Sequence, residues 1–170
     1  MSVDWDGFVK VINDHENILL TSHIRPDCDA LGSELGMAGV LEKLGKKVRI
    51  VNGQETPENL AFIDPTNRLR TICVDIQLDD LADVDLLMVL DTSAWAQLGP
   101  MGDVVKATSA KKIIFDHHVG EDDLGAELFK DRTSPATGCM VVTAAEKLGV
   151  ELTPEISTCL LYTSPSPRDS

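Results

Sequence analysis

One histidine and two aspartates, His23, Asp27 and Asp29, fall within a single stretch of seven residues. Two further groups follow downstream: Asp91, and the run Asp116-His117-His118. Imidazole nitrogen combined with carboxylate oxygen is a ligand set for a hard or borderline divalent ion, Mn²⁺, Mg²⁺ or Zn²⁺. Taken singly, each group has an ordinary explanation. An aspartate ahead of a helix is commonly its cap, Asp91-Thr92-Ser93 reads as a turn, and a histidine pair in a loop is often satisfied locally. Taken together they resist that account. Capping does not explain three clusters each placed directly behind an apolar run, and so many converging carboxylates call for cations to offset their repulsion. Two ions about 3.5–4 Å apart, bridged by a carboxylate, are the usual device for in-line attack on phosphorus. They acidify a bridging water and screen charge on phosphoryl oxygens, while a nearby histidine steadies a phosphate oxygen or protonates the leaving group.

The elements that must position these residues are legible in the chain. Ile18-Leu19-Leu20 reads as a buried strand that Pro26 ends, because proline cannot donate to a ladder. A helix over 30–44 then carries Leu31, Leu35, Ala38, Leu41 and Leu44 on one face, with Gly45 as its stop. Phe8, Val9, Val11 and Ile12 predict a short helix before the first strand. Strands are expected at 48–51, 71–74, 85–90 and 112–115, the last two running into Asp91 and Asp116. Short or apolar helices are expected from Pro57 to about Asp64, over 135–148 and over 154–162. Alternating strands and helices predict an α/β fold, a doubly wound and mainly parallel sheet with helices on both faces. In such a sheet the strand C-termini share one edge, so the three clusters can converge.

Bulk properties narrow the function. The chain has 170 residues, room for one well-buried domain. Its net charge of −13 argues against a grip on long nucleic acid, which needs a basic stripe, but not against a short phosphorylated substrate held through metal ions. Cys28, Cys73, Cys139 and Cys159 have no CxxC or zinc-ribbon spacing and read as reduced thiols. With no signal-peptide pattern and no apolar run near the roughly 20 residues that span a bilayer, a cytoplasmic protein without membrane partners is expected.

The motifs carry a resemblance. His23-x3-Asp27-x-Asp29-Ala30-Leu31-Gly32-Ser33, then Leu90-Asp91-Thr92-Ser93, then Asp116-His117-His118 resemble, in order and spacing, the first three motifs of the DHH phosphoesterase family. The likeness runs from about residue 16 to 163. The first motif most resembles the bacterial branch that combines oligoribonuclease (nanoRNase) and pAp phosphatase activity. What the resemblance implies is a RecJ-like catalytic domain that hydrolyses short RNA oligonucleotides and pAp with two Mn²⁺ ions, Mg²⁺ remaining open. It implies that His23 and Asp27 hold one metal, Asp29 and His117 the other, and that Asp91 bridges them. Asp116 would orient an adjacent histidine, and His118 would face the scissile phosphate. Arg25 is read either as a phosphate contact or as a solvated side chain. Ser134 and Thr137 are read as caps of the 135–148 helix and left outside the site. Other activities of the family stay open: single-strand DNA exonuclease, cyclic-dinucleotide phosphodiesterase and inorganic pyrophosphatase. So does a non-catalytic fragment that binds metal or nucleotide, and so does a homodimer.

The chain departs from the family pattern at its end. After Thr163 the family continues into an Asp-Thr-Gly motif and a smaller substrate-binding domain, whereas this sequence reads Ser164-Pro165-Ser166-Pro167-Arg168-Asp169-Ser170. The expectation is a catalytic domain over 1–163 lacking its fourth motif, a non-family tail over 164–170, and no C-terminal domain. The apolar helix over 154–162 is then expected to leave part of Ile156, Leu160, Leu161 and Tyr162 uncovered and to favour association.

Overall fold

The structure is a computed structural model and describes residues 3–120 and 122–163. The tail over 164–170 lies outside the described residues. Six strands form one sheet, every pairing parallel: β1 (Asn17–Thr21), β2 (Lys47–Asn52), β3 (Leu69–Thr71), β4 (Leu86–Leu90), β5 (Lys111–Asp116) and β6 (Glu127–Lys130). Their order is β3-β2-β1-β4-β5-β6. The chain works outward from β1 in one direction and then restarts on its other side with β4. The direction of winding therefore reverses between β1 and β4, and ligand crevices of open α/β sheets lie at that reversal.

Among the described residues five α-helices cover the sheet: α1 (Trp5–Asn13), α2 (Cys28–Lys43), α3 (Met101–Ala107), α4 (Thr137–Leu148) and α5 (Pro154–Leu161). They are distributed unequally. On one face α1, α2, α4 and α5 pack with Ile18, Leu20, Met88 and Phe115. On the other, Leu19, Leu87, Val89 and Ile114 meet α3 and the 3₁₀ segment Leu78–Leu81. Period-2 alternation sends neighbouring strand residues to opposite faces, and both are covered, so β4 is buried at every position.

α2 is buried far beyond the single apolar stripe that its sequence predicts. Gly36 and Gly39 let α5 approach, because a Cβ at either would stand 2.6 Å from Leu160 Cδ2 or Ile156 Cγ1. Ile156 and Leu160 are buried by that contact, while Leu161 and Tyr162 stay exposed. The uncovered part of α5 is therefore narrower than expected.

Several boundaries differ from the sequence reading. The strand expected at 71–74 is Leu69–Thr71; Cys73 has a positive φ of 67° and turns the chain away. The helix expected from Pro135 begins at Thr137, and the segment after Pro57 is the 3₁₀ helix Glu58–Ile63. Helix α3 and strand β6 carry too short a pattern to stand out and were not anticipated. The four cysteines are unpaired. Among the described residues no helix is long and apolar enough to cross a membrane.

Candidate metal centre

Register brings the clusters together. Thr21 pairs with Val89, so His23 and Asp91 each lie two residues beyond a paired position on adjacent strands. Leu90 pairs with Phe115, and Asp91 N–H donates to Phe115 C=O at 3.0 Å, which sets Asp91 beside Asp116. Asp91 adopts a left-handed conformation, with φ of 65°. Aspartate tolerates that region better than most residues, and here it turns the side chain across the strand ends.

Asp91 sits at the middle of the site and is 2% exposed. Its Oδ2 lies 3.0 Å from His23 Nε2 and its Oδ1 lies 3.3 Å from His117 Nε2. Each imidazole is held by its other nitrogen. His23 Nδ1 donates to Ile24 C=O at 2.9 Å, and His117 Nδ1 donates to Ser134 C=O at 3.2 Å. Those bonds leave both Nε2 atoms for the carboxylates, the orientation a metal-binding histidine requires.

The two aspartates of the first cluster have double duties. Asp27 caps α2: its Oδ1 accepts Ala30 N–H at 2.9 Å and stands 3.8 Å from His23 Nε2. Asp29 caps α4, a helix whose own N-cap is Ala136 and offers no side-chain acceptor. Its two oxygens accept Thr137 N–H and Gly138 N–H, each at 3.0 Å, and Oδ2 lies 3.6 Å from His117 Nε2. The ordinary capping explanation and the site explanation therefore both hold for these residues.

Asp116, wholly buried, gathers donors. Its Oδ1 accepts His118 Nδ1–H at 2.7 Å and the N–H groups of His117 and His118. Its Oδ2 accepts Ser93 Oγ–H at 3.1 Å and stands 3.5 Å from Lys130 Nζ. Asp116 orients His118, which lines a cleft of about 470 Å³ together with Asp27, Asp29, Asp91, His117 and Ala136. Arg25, exposed and with φ of 52°, is fixed by a bond from its N–H to Gln54 Oε1 at 2.6 Å.

Proton affinities follow from this crowding. Burial opposes charge on His23, yet its bond to Asp91 and the neighbouring carboxylates raise it to about 9. His117 is raised as well, first by its bond to Asp91. Burial and the charge of Asp91 push Asp29 up to about 6. Burial works against ionised Asp91, but His117 and His23 hold it well below the usual carboxylate range. The bond to Asp91 is the largest of the effects that raise the proton affinity of each imidazole. One donor atom from each of His23, Asp27 and Asp91 lies within 4.8 Å of the others, and the same is true of Asp91, His117 and His118.

The fold brings all the expected residues except Arg25 into direct contact with at least one other member of the group. It adds three that sequence reasoning left out. Thr137 is no mere cap, since its buried Oγ1 donates to Asp91 Oδ1 at 2.9 Å. Ser93 and Lys130 converge on Asp116. Position at a helix start hinted at Thr137; nothing local marked Lys130. A second cleft, about 650 Å³, opens between α2 and α5 past Glu42, Phe62, Arg68 and Ile156, and no histidine lines it.

Comparison with known proteins places this geometry among relatives. Residues 17–163 match the family model for the DHH family, N-terminal domain. The chain is 30% identical over 144 residues to the bifunctional oligoribonuclease and PAP phosphatase NrnA of Thermus thermophilus. It is 27% identical over 134 residues to the Bacillus subtilis protein of the same name. These alignments cover 85% and 78% of this chain but 41% and 39% of the relatives, so the chain spans about two fifths of their length. Among solved structures, an exopolyphosphatase-related protein from Bacteroides fragilis superposes with a TM-score of 0.85 at 24% identity, over 94% of this chain and 48% of that one. An exonuclease RecJ bound to manganese superposes at 0.56 with 12% identity, over 94% and 42% of the two chains. Those two likenesses concern the fold.

Proposed function

This chain belongs to the DHH family, and we propose that it is the catalytic part of a metal-dependent phosphoesterase acting on very short oligoribonucleotides and 3′-phosphoadenosine 5′-phosphate. The observation that carries the reading is Asp91, buried between two imidazoles whose Nε2 atoms both face it, at 3.0 and 3.3 Å. The substrate class follows the names of the Thermus and Bacillus relatives.

The donor set fits the proposed ions. It is oxygen and imidazole nitrogen with no thiolate, suited to Mn²⁺ or Mg²⁺, and the donors of His23, Asp27 and Asp91 lie within 4.8 Å of one another. On this reading His23 and Asp27 would hold one ion and Asp29 and His117 the other, with Asp91 between them as a ligand available to both. Bound there, the ions supply positive charge opposite the phosphoryl oxygens and acidify the attacking water.

The remaining work falls to the chain. His118 has Nδ1 committed to Asp116, so its Nε2 is the atom available to protonate a leaving oxygen or to hydrogen-bond a phosphoryl oxygen. Asp116 fixes that tautomer, and Ser93 and Lys130 keep Asp116 in place. Thr137 steadies Asp91 from α4. Arg25, exposed on the loop after β1, stays outside the contacts of the site and is read either as a contact for a further phosphate or as a solvated side chain.

The test is release of mononucleotide from a 5′-phosphorylated RNA dinucleotide with Mn²⁺, comparing this chain with Asp91→Asn. Turnover that the substitution abolishes supports the reading. Equal rates in the two proteins would refute it.

A further inference from the structure

Helix α2 passes behind the site with a glutamate in its middle. Glu34 is completely shielded from solvent, which is rare for a carboxyl group. Asn52 Nδ2 donates to Glu34 Oε1 at 3.0 Å, while Glu34 Oε2 has no hydrogen-bond partner among the described residues. A carboxylate with one amide donor cannot hold its charge in such surroundings. Burial pushes Glu34 up to about 8, with the Asn52 amide opposing, so at neutral pH the neutral acid is favoured.

The contacts continue beyond Asn52. Its Oδ1 accepts the N–H of Ser22 at 3.1 Å and the hydroxyl of Thr21 at 3.5 Å. Ser22 immediately precedes His23, and its own Oγ is the other buried side-chain polar atom that lacks a partner among the described residues. Three elements are thereby tied together under the site. Asp27 caps α2 and Asp29 lies in its first turn, His23 follows β1 by two residues, and Asn52 at the end of β2 joins them although β2 supplies none of the proposed ligands.

We infer that Glu34 is a positioning residue for the metal centre: acting through Asn52, it fixes the turn from Ser22 to His23 against α2, and so fixes the His23 imidazole relative to Asp27 and Asp91. The inference rests on reading those three residues as metal ligands. A neutral acid that works by hydrogen bonding has a close substitute in glutamine and none in leucine, which fills similar space. The two substitutions therefore separate a polar link from simple filling of the core.

The experiment measures hydrogen exchange of the Ser22 amide in the metal-free chain and Mn²⁺ affinity by calorimetry, for the parent, Glu34→Gln and Glu34→Leu. Glu34→Gln is expected to keep both properties. Glu34→Leu is expected to keep the unfolding temperature, lose protection at Ser22 and weaken Mn²⁺ binding about tenfold, as loss of support behind a metal ligand does. Should Glu34→Leu not fold, Asn52→Ala breaks the same link from β2 and is read in the same way. Parent-like exchange and affinity in the leucine variant would overturn the inference, as would glutamine behaving like leucine. A parent that binds no Mn²⁺ would refute the metal reading, and the exchange comparison would still decide the part played by Glu34.

Discussion

Asp29 accepts the backbone N–H of Thr137 at 3.0 Å, so a carboxylate at the start of α2 closes the N-terminus of α4, 108 residues further along the chain. On the proposed reading, folding and metal binding therefore draw on the same side chain. Asp29→Asn retains one acceptor oxygen, whereas Asp29→Ala retains none. The alanine variant is expected to be less stable than the asparagine variant by about 1 kcal/mol without metal, the usual worth of a cap. Both should lose most of the stabilisation given by Mn²⁺. Urea unfolding with and without Mn²⁺ measures each part, and equal metal-free stability would show that the cap contributes nothing.

Asp91→Asn tests the centre. Asparagine fits the space but removes the charge that both imidazoles face. The rise in melting temperature on adding Mn²⁺ should largely vanish, because stabilisation by a ligand follows its affinity for the folded state. An undiminished rise would place the ion elsewhere.

His118 should behave differently. Its side chain is half exposed, and Asp116 keeps four other donors without it. His118→Ala is expected to fold normally and bind Mn²⁺ nearly as the parent does, yet lose about 10²-fold in turnover, the scale of one proton-transferring group. Calorimetry and single-turnover kinetics separate the two effects. Lost metal binding would recast His118 as a ligand.

Lys130 is the cation beside buried Asp116, 3.5 Å from Oδ2. Lys130→Met should destabilise the domain by about 3 kcal/mol, because it leaves a buried carboxylate without its charge partner. Adding Asp116→Asn to that variant should recover part of the loss in denaturant unfolding. Strictly additive effects would count against the pairing.

The pH dependence of the metal-free domain has a definite sign. His23 rises from 6.5 to about 9, Asp29 from 3.8 to about 6 and Glu34 from 4.5 to about 8. Each binds its proton more tightly when folded, so its contribution is complete below the lower value and lost as pH climbs through the higher one. Asp91, held low, acts oppositely and matters only in acid, below the ordinary carboxylate range. Metal-free melting temperature should therefore fall from about pH 5 to about pH 9. The gain from Mn²⁺ should grow over the same interval, since the ion takes the place of the protons on His23 and Asp29, whereas Glu34 is no ligand. Scanning calorimetry across that range checks both trends, and a flat metal-free profile would contradict them.

What the sequence determined by itself was local. Apolar runs such as Ile18-Leu19-Leu20 and Leu86–Leu90 mark buried parallel strands, and His23, Asp27, Asp29, Asp91, Asp116, His117 and His118 mark where those strands release the chain. Periodicity and apolarity are properties of a few neighbouring residues, so they survive without knowledge of the fold. Strand β6 shows the limit: four residues, with Leu128 exposed and Phe129 buried, carry too little pattern to separate a strand from a loop. Lys130 was therefore invisible as the neighbour of Asp116. Thr137 and Glu34 were missed for a related reason. A threonine at a helix start and a glutamate within a helix are ordinary in sequence, and only packing shows one turned to Asp91 and the other sealed from water. The tertiary structure decided which groups meet. Insertion of β4 between β1 and β5 puts Asp91, rather than any other carboxylate, between His23 and His117, because strand order and register fix contacts that spacing along the chain does not encode.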